Sequence, residues 1–306
     1  MSSQRLLVMG YLSIDTVTQA DGASRIVPGG AGLYAALGAA RAGAQVDLCA
    51  SIGTDFPAAW IAALEAAGVG TSQLARQEYP SRRAHIDHAA DGRRGSRHYD
   101  DPAWWEASRR HAPAPPDDLS AYRVAVACPM PAKSLGDFLA RADRSGVAVV
   151  ADTNEIFAST EGEAILEMLP FLDVFAPSRE ETRLLAPGMS DDAAARDLAA
   201  RGRAGTEGPV VIQKRGAEGL FIIDGRGIGE WYLPALTADV VDPTGAGDAT
   251  VGAFAAARMQ GAPPLEAGRT AQRIGTLVVS GHGPSALCAA LPPLSSSCAG
   301  QGVLVR

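Results

Sequence analysis

Six short apolar runs alternate with longer alanine-rich segments, and this rhythm constrains the chain more than any other feature. The runs fall at 6–12, 46–52, 124–128, 147–151, 174–176 and 210–212. Runs of that length, bounded by turn residues, read as strands buried on both faces. Between them, 33–42, 58–67, 135–145, 163–169, 179–185 and 191–201 have the length and composition of helices. The alternation predicts an α/β fold: a central, mostly parallel sheet flanked by helices. Two more helices, 246–260 and 265–280, are expected to finish the chain without a clear final strand. The whole of 1–306 is expected to form a single domain.

The rhythm breaks once, across 76–112. That stretch is polar, arginine-rich and aromatic, and Asp91-Gly92 is a hairpin-turn pair. It is expected to form a small antiparallel excursion, a β lid. Arg82, Arg83, Arg93, Arg94 and Arg97 have two readings: attraction of phosphate, or the more ordinary solvated face. Trp104 and Trp105 either pack or cover a sugar or base. His85 and His88 point to opposite faces of a strand and do not converge on a metal.

The net charge of −7 gives no reason to expect a nucleic-acid or membrane partner. No apolar stretch approaches the roughly 20 residues of a bilayer span. The opening MSSQRLLVMGYLSID has too short an apolar run for a secretory signal. The four cysteines form no CxxC pair, and Cys49 and Cys128 lie in apolar runs, as buried thiols of a reducing compartment do. A cytoplasmic protein is expected.

One stretch carries chemistry. VVDPTGAGD opens the helix at 246–260 with Asp242, Thr244, Gly245, Gly247 and Asp248 within seven residues. Glycines let a ligand approach the backbone. The first amides of a helix lack internal acceptors, and its dipole favours anions. A carboxylate beside such a site, Asp248, can take a proton from an attacking hydroxyl. Asp242 and Thr244 either hold a cation or shape the turn. Capping alone would also explain a Thr or an Asp at a helix start.

DPTGAGD resembles the C-terminal signature of the ribokinase family of sugar and nucleoside kinases, the phosphofructokinase-B type. The resemblance makes Asp248 the catalytic base and Gly245, Ala246 and Gly247 the anion hole. PGGAGLYAALGAARAG is similar to the family's first signature, and Asp15 in MGYLSID matches its sugar-gripping Asp. Gly29 and Gly30 then seat the acceptor; taken alone they would be a plain strand-to-helix turn. Tyr34 stands where ribose and adenosine kinases of the family place Asn, which puts ribose itself in doubt.

Ser178 and Glu181 match the family's Asn-x-x-Glu, which positions Mg²⁺ through water, with the Asn replaced; a capping box explains the same residues. Asp152 and Asn154 end a strand and face the same crevice or form a turn. Lys214 and Gly216 are expected near the ATP phosphates, Lys214 being nearly as well read as a solvated charge. VVSGHGPSAL resembles the loop over adenine, which brings His282 and Gly283 to the nucleotide. It also brings Asp242, Thr244, Val278, Gly281, Gly283 and Ser285 around a possible K⁺. Dimers through the lid occur in the family.

The resemblance implies an ATP- and Mg²⁺-dependent kinase acting on a hydroxyl, expected to be primary, of a sugar, nucleoside or polyol. The replacements at Tyr34 and Ser178 motivate a rival, a non-catalytic ligand-binding or regulatory protein on the same scaffold. A P-loop, a dinucleotide fingerprint and a nucleophile elbow are all absent from the sequence.

Overall fold

Small residues decide how this chain packs. In the computed structural model, residues 5–88, 94–96, 99, 101–202 and 208–289 are described. Asp91, Gly92, Cys298 and the tail from 290 lie outside them.

The chain begins with β1 (Arg5–Met9), β2 (Ser13–Thr18) and β3 (Ser24–Gly29), then α1 (Ala31–Arg41), β4 (Val46–Ile52) and α2 (Ala58–Ala66). Two short strands, β5 (Val69–Gly70) and β6 (Leu74–Arg76), precede β7 (Arg83–His88), β8 (Arg94–Ser96) and α3 (Pro102–Arg110). Next come β9 (Tyr122–Ala127), α4 (Ala132–Ser145), β10 (Ala148–Ala151), α5 (Glu155–Thr160) and α6 (Gly162–Met168). They are followed by β11 (Val174–Phe175), α7 (Arg179–Leu185), α8 (Asp191–Ala199) and β12 (Val210–Lys214). The antiparallel strands β13 (Leu220–Asp224) and β14 (Glu230–Leu233) lead to α9 (Ala246–Met259) and α10 (Pro264–Val279).

The main sheet runs β14-β13-β12-β11-β10-β9-β1-β4, with β5 and β6 both on β4. Every pair from β12 to β4 is parallel; only β12–β13 and β13–β14 are antiparallel. Helices cover both faces. α1, α2, α9 and α10 enclose one apolar core, and α4 through α8 the other.

α1 and α9 approach closely because glycines permit it. A Cβ on Gly38 would overlap the Ala249 backbone, and one on Gly252 would overlap the Ala35 carbonyl. This contact brings Gly30, the N-cap of α1, and Gly245, the N-cap of α9, to the same cavity.

Two expectations are corrected. The run at 6–12 is not one strand: β1 stops at Met9. Gly10 packs against Cys128 and Gly32 too tightly for a side chain, and the chain turns there into a second sheet. That sheet, ordered β3-β2-β7-β8, draws two strands from 13–29 and two from 83–96. Its β2–β7 pairing is parallel rather than antiparallel. The segment 102–110, expected in the β excursion, is helical. Asp101 caps it by accepting from Ala103 N at 2.8 Å, Pro102 starts it, and Glu106 pairs with Arg109 and Arg110. Among the described residues, no helix is long and apolar enough to cross a membrane.

Candidate active site

A cavity of about 410 Å³ lies between the two sheets. Asp15, Gly30, Tyr34, Asn154, Glu181, Lys214, Gly216, Thr244, Gly245, Gly247 and Asp248 all line it. Positions singled out from scattered segments thus converge on one cavity. Gly29 lies beneath Asp15: a Cβ there would overlap the carboxylate, so only glycine lets Asp15 sit over the backbone. Asp15 is itself buried.

At the start of α9, Gly245 adopts φ +77°, and a Cβ on it would enter the Tyr34 ring. Asp248 stands half-buried in the first turn and lines the cavity. The amides of Gly245 and Gly247 meet no acceptor among the described residues. Ala246 differs from expectation, since its N–H donates to the Pro243 carbonyl at 3.3 Å.

Asp242 shapes the turn. One of its oxygens accepts from Thr244 N at 2.9 Å and the other from Gly283 N at 2.9 Å. It ties the α9 entry to the loop after α10, and both its oxygens are engaged with backbone. Asp242, Val278, Gly281, His282, Gly283 and Ser285 sit outside the cavity walls. Tyr34 lies between, with its ring on Gly245 and its hydroxyl 3.7 Å from where a Cβ of Gly283 would stand.

Lys214 is not a solvated charge. Its ammonium donates to both oxygens of Asp152, at 2.7 and 2.6 Å; Asp152 is buried and Lys214 half-buried. Burial opposes the Lys214 charge, but Asp152, Glu181 and Asp248 outweigh it and hold the ammonium pKa above its usual value. Burial pushes the Asp152 carboxyl upward, and Lys214 opposes it.

Glu181 forms the capping box and also faces the cavity. Its carboxylate accepts from Ser178 N at 2.5 Å while Ser178 Oγ accepts from Glu181 N at 3.1 Å, a complete capping box. The same carboxyl lines the cavity, and burial, with help from Asp152 and against Lys214, raises its pKa to about 7. Asn154 likewise caps α5, accepting from Phe157 N at 2.9 Å.

Several cavity residues were missed by sequence reasoning. Ser13 and Thr153 are buried, and neither hydroxyl finds a partner among the described residues. The alternation of a strand would have found Ser13, two residues from Asp15 on the same face. Arg82 is half-buried rather than solvated. It stacks between Tyr11 and Trp104, 4.7 and 4.4 Å from the ring centroids, and its Nε donates to Ser108 at 2.9 Å. Nothing in the sequence marks which arginine of the run turns inward.

Three carboxyl side chains, Asp152, Glu181 and Asp248, thus surround one ammonium, beside helix amides suited to anions. No cluster of three or more acidic, histidine or cysteine side chains forms a metal-ligand set among the described residues. That donor set suits Mg²⁺ carried on phosphates and held through water, as Mg²⁺ ordinarily is.

The pfkB family carbohydrate kinase model matches residues 4–290. A cytidine kinase of Thermococcus kodakarensis is 31% identical over 264 residues, 84% of this chain and 90% of that protein. Among solved structures, a ribokinase of Cryptococcus neoformans in complex with ADP superposes with a TM-score of 0.74 at 26% identity, covering 95% of this chain and 97% of that one. A Burkholderia thailandensis nucleoside kinase with inosine shares the fold, with a TM-score of 0.75 at 19% identity over 92% and 94% of the two chains. The chain therefore belongs to the pfkB family of carbohydrate kinases, and is an ATP-dependent enzyme that transfers a phosphoryl group to a hydroxyl of a sugar or nucleoside.

Proposed function

We propose that Asp248 is the general base of this transfer and that the α9 entry receives the moving phosphoryl group. Asp248 takes the proton of the acceptor hydroxyl. The oxygen attacks the γ-phosphorus of ATP, the bond to the β-phosphate oxygen breaks, and ADP leaves. The amides of Gly245 and Gly247 carry the charge on the phosphoryl oxygens, with the Ala246 amide turned to Pro243 in the resting protein. Such positioning and electrostatics supply most of the rate in phosphoryl transfer.

In this reading Mg²⁺ neutralises phosphate charge when bound, and Glu181 holds it through water. Lys214 and Gly216 face the phosphates. His282 and Gly283 border the nucleotide beyond Tyr34, in line with the ADP that the Cryptococcus ribokinase binds. Potassium has no part in this reading: Asp242 is used as a clamp between the Thr244 and Gly283 amides.

Asp15, Ser13, Gly30, Asn154 and Thr153 grip the acceptor. Two buried hydroxyls without partners support a polyhydroxyl substrate, since each unmatched group costs about 1–3 kcal/mol. We also read the outer strands β3 and β8 of the second sheet as the edges where two copies would pair. The buried free thiols Cys49, Cys128 and Cys288 support a cytoplasmic location.

The observation carrying the proposal is the convergence of Asp15 and Asp248 on one cavity with the α9 amides. The test is Asp248→Asn. ADP release dependent on a sugar or nucleoside acceptor is expected to fall by about 10²–10⁴-fold with nucleotide affinity kept. A rate near wild type would disprove the base assignment.

A further inference from the structure

A second cavity of about 210 Å³ opens beside the acceptor end of the first, lined by Trp104, Trp105, Phe157, Ser108 and Arg109 among others. The two share Tyr11, Arg82, Pro129 and Asn154. Arg82 stands in the partition.

Its surroundings restrict what it can bind. Tyr11 and Trp104 cover the two faces of the guanidinium, and Ser108 takes its Nε–H. Only the in-plane edge of the terminal amino groups is left, and no acceptor among the described residues takes it. Asp15, on the neighbouring strand β2, supplies charge balance. The flanking chain is fixed. Asp55 accepts from Ser81 N at 2.6 Å and pairs with Arg83 at 2.5 Å. The Arg82 carbonyl accepts from Ile14 N at 2.9 Å, and His111 holds the Pro80 carbonyl at 2.8 Å. A half-buried guanidinium held on both faces and at one nitrogen is preorganised for a flat partner bearing two adjacent acceptor atoms.

We propose that Arg82 determines acceptor specificity by reading the flat, two-acceptor edge of a group that the phosphoryl acceptor carries into the aromatic side chamber. A bare sugar has no such group. A nucleobase edge and a carboxylate both have one, and the aromatic walls suit either a ring or a flat acid group. This inference rests on the assignment of the first cavity as the acceptor site.

The experiment measures binding by calorimetry and transfer by ADP release, on the full-length protein, with cytidine, ribonate and ribose as probes. Wild type is expected to prefer cytidine or ribonate to ribose, and the preferred arm identifies the source of the edge. Arg82→Met should weaken the preferred acceptor on the order of 100-fold, weaken ribose much less, and leave the ATP KM within about twofold. Arg82→Lys keeps the charge and stem but loses the fork, so it should show most of that loss while melting with wild type. Ser108→Ala, which frees the guanidinium to rotate, should lose about tenfold. Equal use of ribose by wild type, unchanged cytidine and ribonate affinity in both Arg82 variants, or no binding of any probe overturns the inference. Acceptor-dependent ADP release by wild type and its loss in Asp248→Asn decide the kinase reading separately.

Discussion

The two ends of the cavity are built in opposite ways. At the phosphoryl end the polar side chains pair with one another or with backbone, and only the amides of the α9 entry stay open. Lys214 binds both oxygens of Asp152, Glu181 and Ser178 cap each other, and Asp242 holds two amides. The acceptor end leaves its accounts open: Ser13 and Thr153 have unmatched hydroxyls, and Arg82 presents an unclaimed edge. A site that holds one unvarying group, a polyphosphate, is served by rigid donors fixed in advance. A site that selects one acceptor among many gains from groups that only the right ligand satisfies.

The comparison predicts that changes at the phosphoryl end damage fold and turnover together. The largest effect is expected from Gly245→Ala. The residue adopts φ +77°, and its Cβ would enter the Tyr34 ring. Strain of about 1–3 kcal/mol should appear in the denaturation midpoint, and kcat should fall by about 10²–10³-fold as the amides lose alignment. An unchanged kcat would show that these amides do not serve the transferring group. Next comes Lys214→Met, which strands a buried carboxylate. Urea denaturation should report a loss of about 3–5 kcal/mol. Adding Asp152→Asn should recover part of it, and failure to recover would mean that the pair is not what Lys214 stabilises.

The same division explains what the sequence made legible. The phosphoryl end depends on turn and capping chemistry within a few neighbouring residues, so Gly245, Asp248 and the Ser178–Glu181 box could be read directly. The centre of the parallel sheet, from β12 to β4, was legible because those strands lie in continuous apolar runs, whereas β5 and β6 on its edge do not. The acceptor end comes from the pairing of 13–18 with 83–88 across some seventy residues, and no local pattern encodes that partnership. The run at 6–12 concealed the break at Gly10, because the reason for it is the distant Cys128. Arg82 and Arg83 are neighbours with similar sequence surroundings, yet one stacks between aromatic rings and the other pairs with Asp55.

Glu181 sharpens the comparison through pH. Burial raises its pKa from an ordinary 4.5 to about 7. Below about pH 4.5 the group is protonated in both folded and unfolded chains, so Glu181→Gln should leave stability unchanged. As pH rises toward 7 the unfolded chain releases the proton more readily, and wild type loses stability relative to the variant. Above 7 the gap should level near about 3 kcal/mol, with the variant the more stable. Denaturation at pH 4, 6 and 8 checks this. A gap that is flat across these values would mean that folding does not shift the Glu181 pKa.

The smallest effects come from two serines that line the same cavity. Ser178 Oγ accepts from an amide at 3.1 Å, whereas Ser13 Oγ is buried without a partner among the described residues. Removing each hydroxyl should therefore move stability in opposite directions. Ser178→Ala loses a cap and should cost about 1 kcal/mol. Ser13→Ala removes an unsatisfied group and should be neutral or stabilising by about 1 kcal/mol in the free protein. Ligand effects should also separate: Ser13→Ala should raise the acceptor KM several-fold and spare that of ATP. If Ser13→Ala instead destabilises the free protein and leaves acceptor affinity intact, its hydroxyl is already satisfied at rest. The acceptor end would then be as closed as the phosphoryl end, and the contrast between the two would fail.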